Sequence, residues 1–367
     1  MAAAFFVHGA ISGSWAARVL FVKQDLDLGE GALGLALLGS AVGSVIATLV
    51  SGALAARMGS RSVTRVAVAL ACAALVGPAL ASDLATLWLA LFVLGGALGA
   101  LDVAMNAQGV VVQHAYERSI MSSWHGVWSL GAGAGAAAAG VAIAASVSTT
   151  THLATAAAVL FAMGWAATRH LSEARSPGDA AGPAFARPSR SLLALGAIVF
   201  CSVVGEGAAF DWSAVYLNES LGSSAEVATL GLGAFAVTMA AGRFVGDRLT
   251  TRWGEVNVMT GSAGVAVAGL GVALAVGHPA AGVIGFGVFG GGLANLVPLA
   301  FSSAGNVGGL GAGPGIAAVA TVGYIGFFAG PAVIGLLAEI ASLPAALWLV
   351  VTLTAVIPLL VRRGGFG

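Results

Sequence analysis

Charge is scarce in this chain. Lys, Arg, Asp and Glu together supply 8% of its 367 residues, while 59% are apolar; a water-soluble domain carries about 25% charged residues. That balance excludes a water-soluble fold, because too few polar side chains exist to cover the apolar ones. Cysteine is also scarce. Cys72 and Cys201 both fall inside apolar stretches, give neither disulfide nor metal-ligand spacing, and read as small apolar fillers. No nucleophile and base set and no metal-ligand cluster is visible, which argues against an enzyme and against a metal or any other cofactor. A phosphate-binding loop is missing too, which argues against a nucleotide-driven pump. No nucleic-acid partner is expected.

Long apolar runs are what the chain has instead. A helix that crosses a bilayer needs about 20 mostly apolar residues. Twelve such runs fit, at 2–21, 32–56, 63–81, 85–112, 121–146, 153–170, 192–216, 226–250, 256–276, 280–303, 314–338 and 344–361. The first reads as a span and not a signal peptide, since it continues to Leu20 and has a counterpart in the second half. The one linker-like stretch is Ser172 to Ser191, where Pro177, Gly178, Gly182, Pro183 and Pro188 mix with charged residues. The expected organisation is an all-α membrane protein with twelve transmembrane helices. A six-helix bundle would occupy 1–171, a cytoplasmic linker 172–191, and a second six-helix bundle 192–367.

The net charge of zero hides an asymmetry, because thirteen of the 15 Lys and Arg fall on one side of this layout. They are Arg57, Arg61, Arg65, Arg118, Arg169, Arg175, Arg187, Arg190, Arg243, Arg248, Arg252, Arg362 and Arg363; only Arg18 and Lys23 lie at the other face. The basic side should be cytoplasmic, with both termini inside.

The chain is also written twice. A shift of 195 residues carries Arg57, Gly59, Gly95, Gly96, Leu98, Leu101, Gly131, Gly135 and Gly140 onto Arg252, Gly254, Gly290, Gly291, Leu293, Leu296, Gly326, Gly330 and Gly335. Paired halves in so apolar a chain point to a secondary transporter, in which parallel repeats rock about a site held between them.

Ionisable groups inside spans are costly, so they mark the candidate site. In the fourth span Gly95, Gly99, Asp102, Asn106, Gly109 and Gln113 form one stripe at helical spacing. Asp102 and Asn106 read as groups that hydrogen-bond a hydroxylated solute or carry a proton; the alternative is glycine packing with Asp102 paired for structure. In the seventh span Glu206 lies between Gly205 and Gly207. A carboxyl buried there can gain and lose a proton near neutral pH, or serve as a paired group that joins helices. Asp211, about 140° further round that helix, reads with Trp212 as an outer anchor or gate.

Trp15-Ala16-Ala17 resembles Trp212-Ser213-Ala214, so spans one and seven read as equivalents, and His8 is placed at a depth similar to that of Glu206 as a proton-binding or structural histidine. The fifth span opens with Trp124, His125 and Trp128, whose rings can stack on a sugar or belong to an interfacial belt. In the tenth span Asn295 is a plausible binding amide, and Pro298 frees a carbonyl and bends the helix.

These residues resemble the major facilitator superfamily. Gly52-x-x-x-Ala56-Arg57-x-Gly59-Ser60-Arg61 is similar to its cytoplasmic signature, with Ala56 where the usual acid stands. The second half carries Gly242-Arg243-x-x-Gly246-Asp247-Arg248 followed by Arg252-x-Gly254. The resemblance implies that Arg57, Gly59, Arg61, Arg243, Asp247, Arg248 and Arg252 clamp cytoplasmic helix ends, with Asp247 supplying the acid. Leu101 to Gly109, Met121 to His125, Glu206 to Ser213 and Leu296-Val297-Pro298 look like a bacterial branch near the fucose permeases. Relatives of that type are proton symporters with acids in spans one and four; here His8 stands in span one, and Asp102 alone fits that arrangement.

The resulting expectation is a monomeric transporter of the bacterial inner membrane, moving a small polar solute such as a sugar inward with protons by alternating access. Asp102, Asn106, His125, Trp128 and Asn295 would bind solute; Glu206, Asp102 and His8 would handle protons. Proton-driven efflux of a small apolar compound, and a non-transporting membrane scaffold, stand as alternatives.

Overall fold

The computed structural model describes residues 1–116, 121–169, 171, 189–306 and 312–364. They are helical almost throughout. The chain forms two compact units, Met1–Asp179 and Ala180–Gly367. In the first, span one is made of α1 (Ala2–Ala16) and α2 (Val19–Asp25), followed by α3 (Glu30–Met58), α4 (Ser60–Ala74) with a 3-10 turn at Gly77–Leu80, α5 (Leu84–Tyr116), α6 (Met121–Ala144) and α7 (Thr149–Thr168). The second unit holds α8 (Arg190–Val215) running into a π turn at Tyr216–Ser220, α9 (Ala225–Trp253), α10 (Glu255–Val276), α11 (Pro279–Leu293), α12 (Leu296–Asn306), α13 (Ala312–Ile340) and α14 (Leu343–Arg363). Eleven described segments are long and apolar enough to cross a membrane, and Ala329–Ile340 within α13 is a shorter apolar stretch. The expected linker, 172–191, lies outside the described residues except at 189–191.

The two units repeat one packing scheme. In the first, α3 packs on α5, α1 on α6 and α7, and α4 on α5 and α7; in the second, α9 packs on α11, α8 on α13 and α14, and α10 on α11 and α14. The shift of 195 residues read from the sequence also holds at the level of atoms. A Cβ on Gly95 would strike the carbonyl of Ser40, and one on Gly290 the carbonyl of Phe235. Gly59 and Gly254, the glycines of the two Arg-x-Gly pairs, both adopt positive φ (84° and 79°) between consecutive spans, a conformation that side chains with a Cβ resist. Asp27 and Gly222 form another pair at the same shift, with φ of 50° and 67°. Sequence comparison passes over it because Asp and Gly both tolerate this turn.

Span ten breaks where its proline predicts. Pro298 has no N–H to offer the carbonyl of Ala294, and the helix is interrupted at 294–295 between α11 and α12. Span one breaks at 17–18 without a proline or glycine there. At that break Arg18, expected at the outer face, turns inward: it is 2% exposed, donates from Nε to Nδ1 of His152 (3.3 Å) and from Nη2 to the carbonyl of Val147 (3.0 Å). Those two acceptors offset part of the cost of burying a guanidinium.

Candidate functional site

In the first unit small residues bring the site together. Gly9 and Gly13 of α1 face the carbonyls of Trp128 and Ala132, while Gly131 and Gly135 of α6 face those of Phe6 and Ala10. Neither helix has a Cβ at the contact, so their backbones approach closely, and His8 of α1 lands beside Trp128 of α6. The Trp128 indole N–H donates to His8 Nδ1 at 2.6 Å, and His8 Nε2 lies 3.2 Å from the carbonyl oxygen of Leu98 on α5. An indole nitrogen can only donate. Nδ1 therefore carries the lone pair, Nε2 carries the hydrogen, and the imidazole is neutral.

Leu98 is one turn before Asp102 on α5, so the His8 contact ties α1 and α6 to the helix that carries the acid. Asn106 donates from Nδ2 to the Asp102 carboxylate at 3.0 Å and to its backbone carbonyl at 2.9 Å. Asp102 has no further hydrogen bond and no ion pair with any described residue. His125 and Trp124 meet Phe5: the His125 ring stands edge-on to it with centroids 5.3 Å apart, and Trp124 stacks on it at 5.9 Å. Trp124 is 8% exposed, so it is an interior packing residue and not part of an interfacial belt. The sequence-predicted Asp102, Asn106, His8 and Trp128 thus form one connected set, with His125 a turn away on α6. Gly95 and Gly99 of the polar stripe are spent on packing against Ser40 and Ser44 of α3.

His8 departs from its expected role as a proton carrier. Both ring nitrogens are engaged, and a proton can reach Nδ1 only if Trp128 withdraws. In this conformation the histidine is a neutral cross-link that positions Trp128 and the Leu98 turn.

The second unit corrects three further expectations. Arg243, grouped with the cytoplasmic signature, lies ten residues before Trp253, about 15 Å along α9, and its Nη2 stands 3.7 Å from Glu206 Oε1. The pair joins α8 to α9, so Glu206 has a cation of its own. Asn295, expected to bind solute, is 6% exposed. It donates to the Gly242 carbonyl at 3.2 Å, and its Oδ1 fills the space a Cβ on Gly246 would take. Gly242-x-x-x-Gly246 is therefore a notch for this amide. Finally, the packing registers Gly326 with Phe200 as it registers Gly131 with Phe6, which equates His8 with Ser202 and sets Glu206 about one helical turn beyond the histidine's equivalent.

The cytoplasmic signature is dispersed. The side chain of Arg57 lies outside the described residues. Arg61 donates to the carbonyl of Arg169 at 3.2 Å, and Arg252 sits over the ring of its neighbour Trp253. Asp247 and Arg248 are exposed, and neither has a side-chain partner among the described residues. No group of three or more metal-ligating side chains occurs among the described residues.

Two all-helical units with one packing scheme and mid-span carboxylates suit a membrane carrier, and the sequence profile of the Major Facilitator Superfamily matches residues 1–313. The chain belongs to the Major Facilitator Superfamily. Members of this superfamily are transporters and not enzymes. An uncharacterized transporter of the superfamily from Yersinia pestis is 35% identical over 344 residues, which cover 94% of this chain and 89% of that one. Among solved structures, a variant of the nucleoside transporter NupG overlays with a TM-score of 0.80 at 12% identity, covering 99% of this chain and 98% of that one. The E. coli fucose:proton symporter FucP overlays at 0.63 with 18% identity, covering 99% and 97%. At such identities these overlays establish the superfamily fold alone. The chain is a multi-pass membrane transporter of this superfamily with bacterial relatives.

Proposed function

We propose that this transporter is a proton-coupled importer of a small polar solute such as a sugar, working by alternating access as a monomer in the bacterial inner membrane. The observation that carries this reading is Asp102, a mid-span carboxylate with one amide donor and no cation among the described residues, held on a helix that His8 and Trp128 tie into place. A solute hydroxyl has acceptors at Asp102 and an aromatic face at Trp128, with His125 on the same helix. Intramembrane carboxylates supply the proton sites. Six-helix bundles at 1–171 and 192–367 move about the linker 172–191. The orientation with both termini cytoplasmic gains support from Arg18 and Lys23, which are 2% and 7% exposed; of the basic groups assigned to the opposite face, neither is offered to solvent. The fucose:proton symporter FucP shares the fold and lends the reading its solute class.

The competing reading is proton-driven efflux of a small apolar compound. Purified protein screened for thermal stabilisation by sugars, polyols and nucleosides, then reconstituted for uptake with and without an inward pH gradient, separates the two. The expected result is gradient-dependent accumulation of a stabilising polar solute, at least tenfold slower in Asp102→Asn. Accumulation that ignores both the gradient and the substitution would overturn the reading.

A further inference from the structure

Three carboxylates lie well inside the spans, and the structure treats each differently. Glu206 faces Arg243. Asp102 accepts from Asn106. Asp211 of α8 has no hydrogen bond, ion pair or ring contact with any described residue, although it lies nine residues before Ser220, about 14 Å from the end of the continuous helical segment.

The surroundings of Asp211 are short of partners as well. Trp212 and Ser213 are both 0% exposed, and the indole Nε1 and the hydroxyl Oγ are buried without a hydrogen-bond partner. Orphaned buried donors are rare in native folds and mark strain or a functional position. One turn before Asp211, on the same helix face, stands Gly207. A Cβ there would meet no atom within 4 Å. Helical side chains lean toward the N-terminus and cover the turn before their own Cα, so Asp211 leans over the gap that Gly207 leaves. Directly after it, the π turn at Tyr216–Ser220 loosens the helix, as such turns do at functional sites.

An ionised carboxylate in this position has neither a cation nor a donor among the described residues to replace its hydration, which makes the charged form costly inside a span. On the elements packed against α8, the charged groups are Glu226, Arg243, Asp247, Arg248 and Arg252 of α9, Glu219 of the π turn, Glu339 of α13, and Arg362 and Arg363 of α14. On α8 itself Glu206 is the other acid. None of these forms an ion pair with Asp211. Glu206, by contrast, has the Arg243 guanidinium 3.7 Å from its carboxylate.

We propose that Asp211, leaning over the gap at Gly207, is the acid that holds and releases the transported proton in the second unit, while Glu206 pairs with Arg243. This rests on the proton-coupled reading above. The step is a proton transfer alone: the Asp211 hydroxyl proton leaves to water or solute, and the carboxylate regains it from the opposite side.

The test needs no solute. Infrared difference spectra of reconstituted protein, titrated from neutral to alkaline pH, isolate the C=O stretch of protonated carboxyls through its downshift in D2O. The expected result is a band that disappears on alkaline titration, is lost in Asp211→Asn, and persists in Glu206→Gln and Asp102→Asn. In Asp211→Glu, the control for a poorly folding asparagine variant, the band shifts in frequency. A band unchanged in Asp211→Asn or unmoved in Asp211→Glu, or no band in the unaltered protein, overturns the proposal. Loss of the band in Asp211→Asn together with gradient-independent uptake leaves the proton site standing and sinks the coupling reading, so the two failures are distinguishable.

Discussion

Arg243 stands 3.7 Å from Glu206 across the contact between α8 and α9, a distance that leaves charge attraction without a full hydrogen bond. With 12% and 22% of the side chains exposed, the pair is mostly withdrawn from solvent, so removing the arginine leaves the Glu206 carboxylate without this cation. Arg243→Gln should therefore destabilise the protein more when Glu206 is present than in the Glu206→Gln background. Thermal unfolding of the purified protein, followed by tryptophan fluorescence, should give a coupling of about 1–3 kcal/mol in a double-mutant cycle. Strict additivity would show that neither charge depends on the other.

His8 and Trp128 make a second prediction that separates positioning from proton transfer. Gln at position 8 can accept from the Trp128 indole through its oxygen and donate to the Leu98 carbonyl through its nitrogen. His8→Gln should stay within about 1 kcal/mol of the unaltered protein and keep gradient-driven uptake, whereas His8→Leu removes this acceptor from the indole N–H and loses roughly 1–3 kcal/mol. Uptake abolished in the folded His8→Gln variant would restore the histidine as a proton carrier.

The membrane-length helices, the duplication and the glycine turns were legible because each leaves a local mark: a run of hydropathy, a fixed shift, an Arg-x-Gly pair. Asp102 and Asn106 were legible as a pair because they are four residues apart on one helix. What stayed hidden depended on contacts between distant parts of the chain. The partner of Glu206 lies 37 positions away, and nothing in the local pattern of Arg243 separates a buried ion pair from a basic helix end. Asn295 looked like a binding amide until the notch of Gly242 and Gly246 received it. The break at 17–18 has no helix breaker beneath it and follows from where Arg18 finds its acceptors.

A third prediction concerns the start of α5. The Thr86 backbone N–H and hydroxyl both donate to Asp83 Oδ1 at 2.8 Å. Those bonds, the backbone one first, hold the Asp83 carboxyl below its ordinary value of 3.8. A lowered folded value means that the cap contributes stability above the unfolded value and loses it as pH falls through the folded one. The melting temperature of Asp83→Ala should thus lie below that of the unaltered protein at pH 7, and the gap should close below pH 3.8. A gap that persists unchanged into that acid range would rule out the carboxylate as its source.

The two halves build one helix crossing with different chemistry, and this gives the last prediction. In the first unit Gly43 of α3 lies against the carbonyl of Phe92 on α5, and a Cβ there would strike that oxygen. At the same place in the second unit, shifted by 195 residues, Thr238 of α9 donates its hydroxyl to the carbonyl of Gly287 on α11 at 2.5 Å. One crossing is held by close approach and the other by a hydrogen bond with room for a side chain. Gly43→Ala should overpack its crossing and cost about 1–3 kcal/mol, while Thr238→Val, which keeps the volume and loses the donor, should cost about 1 kcal/mol. Chemical unfolding of the two variants side by side checks the order. If Thr238→Val proved the more damaging, the second crossing would depend on its hydroxyl more than on the fit between its helices, and the asymmetry argued here would be reversed.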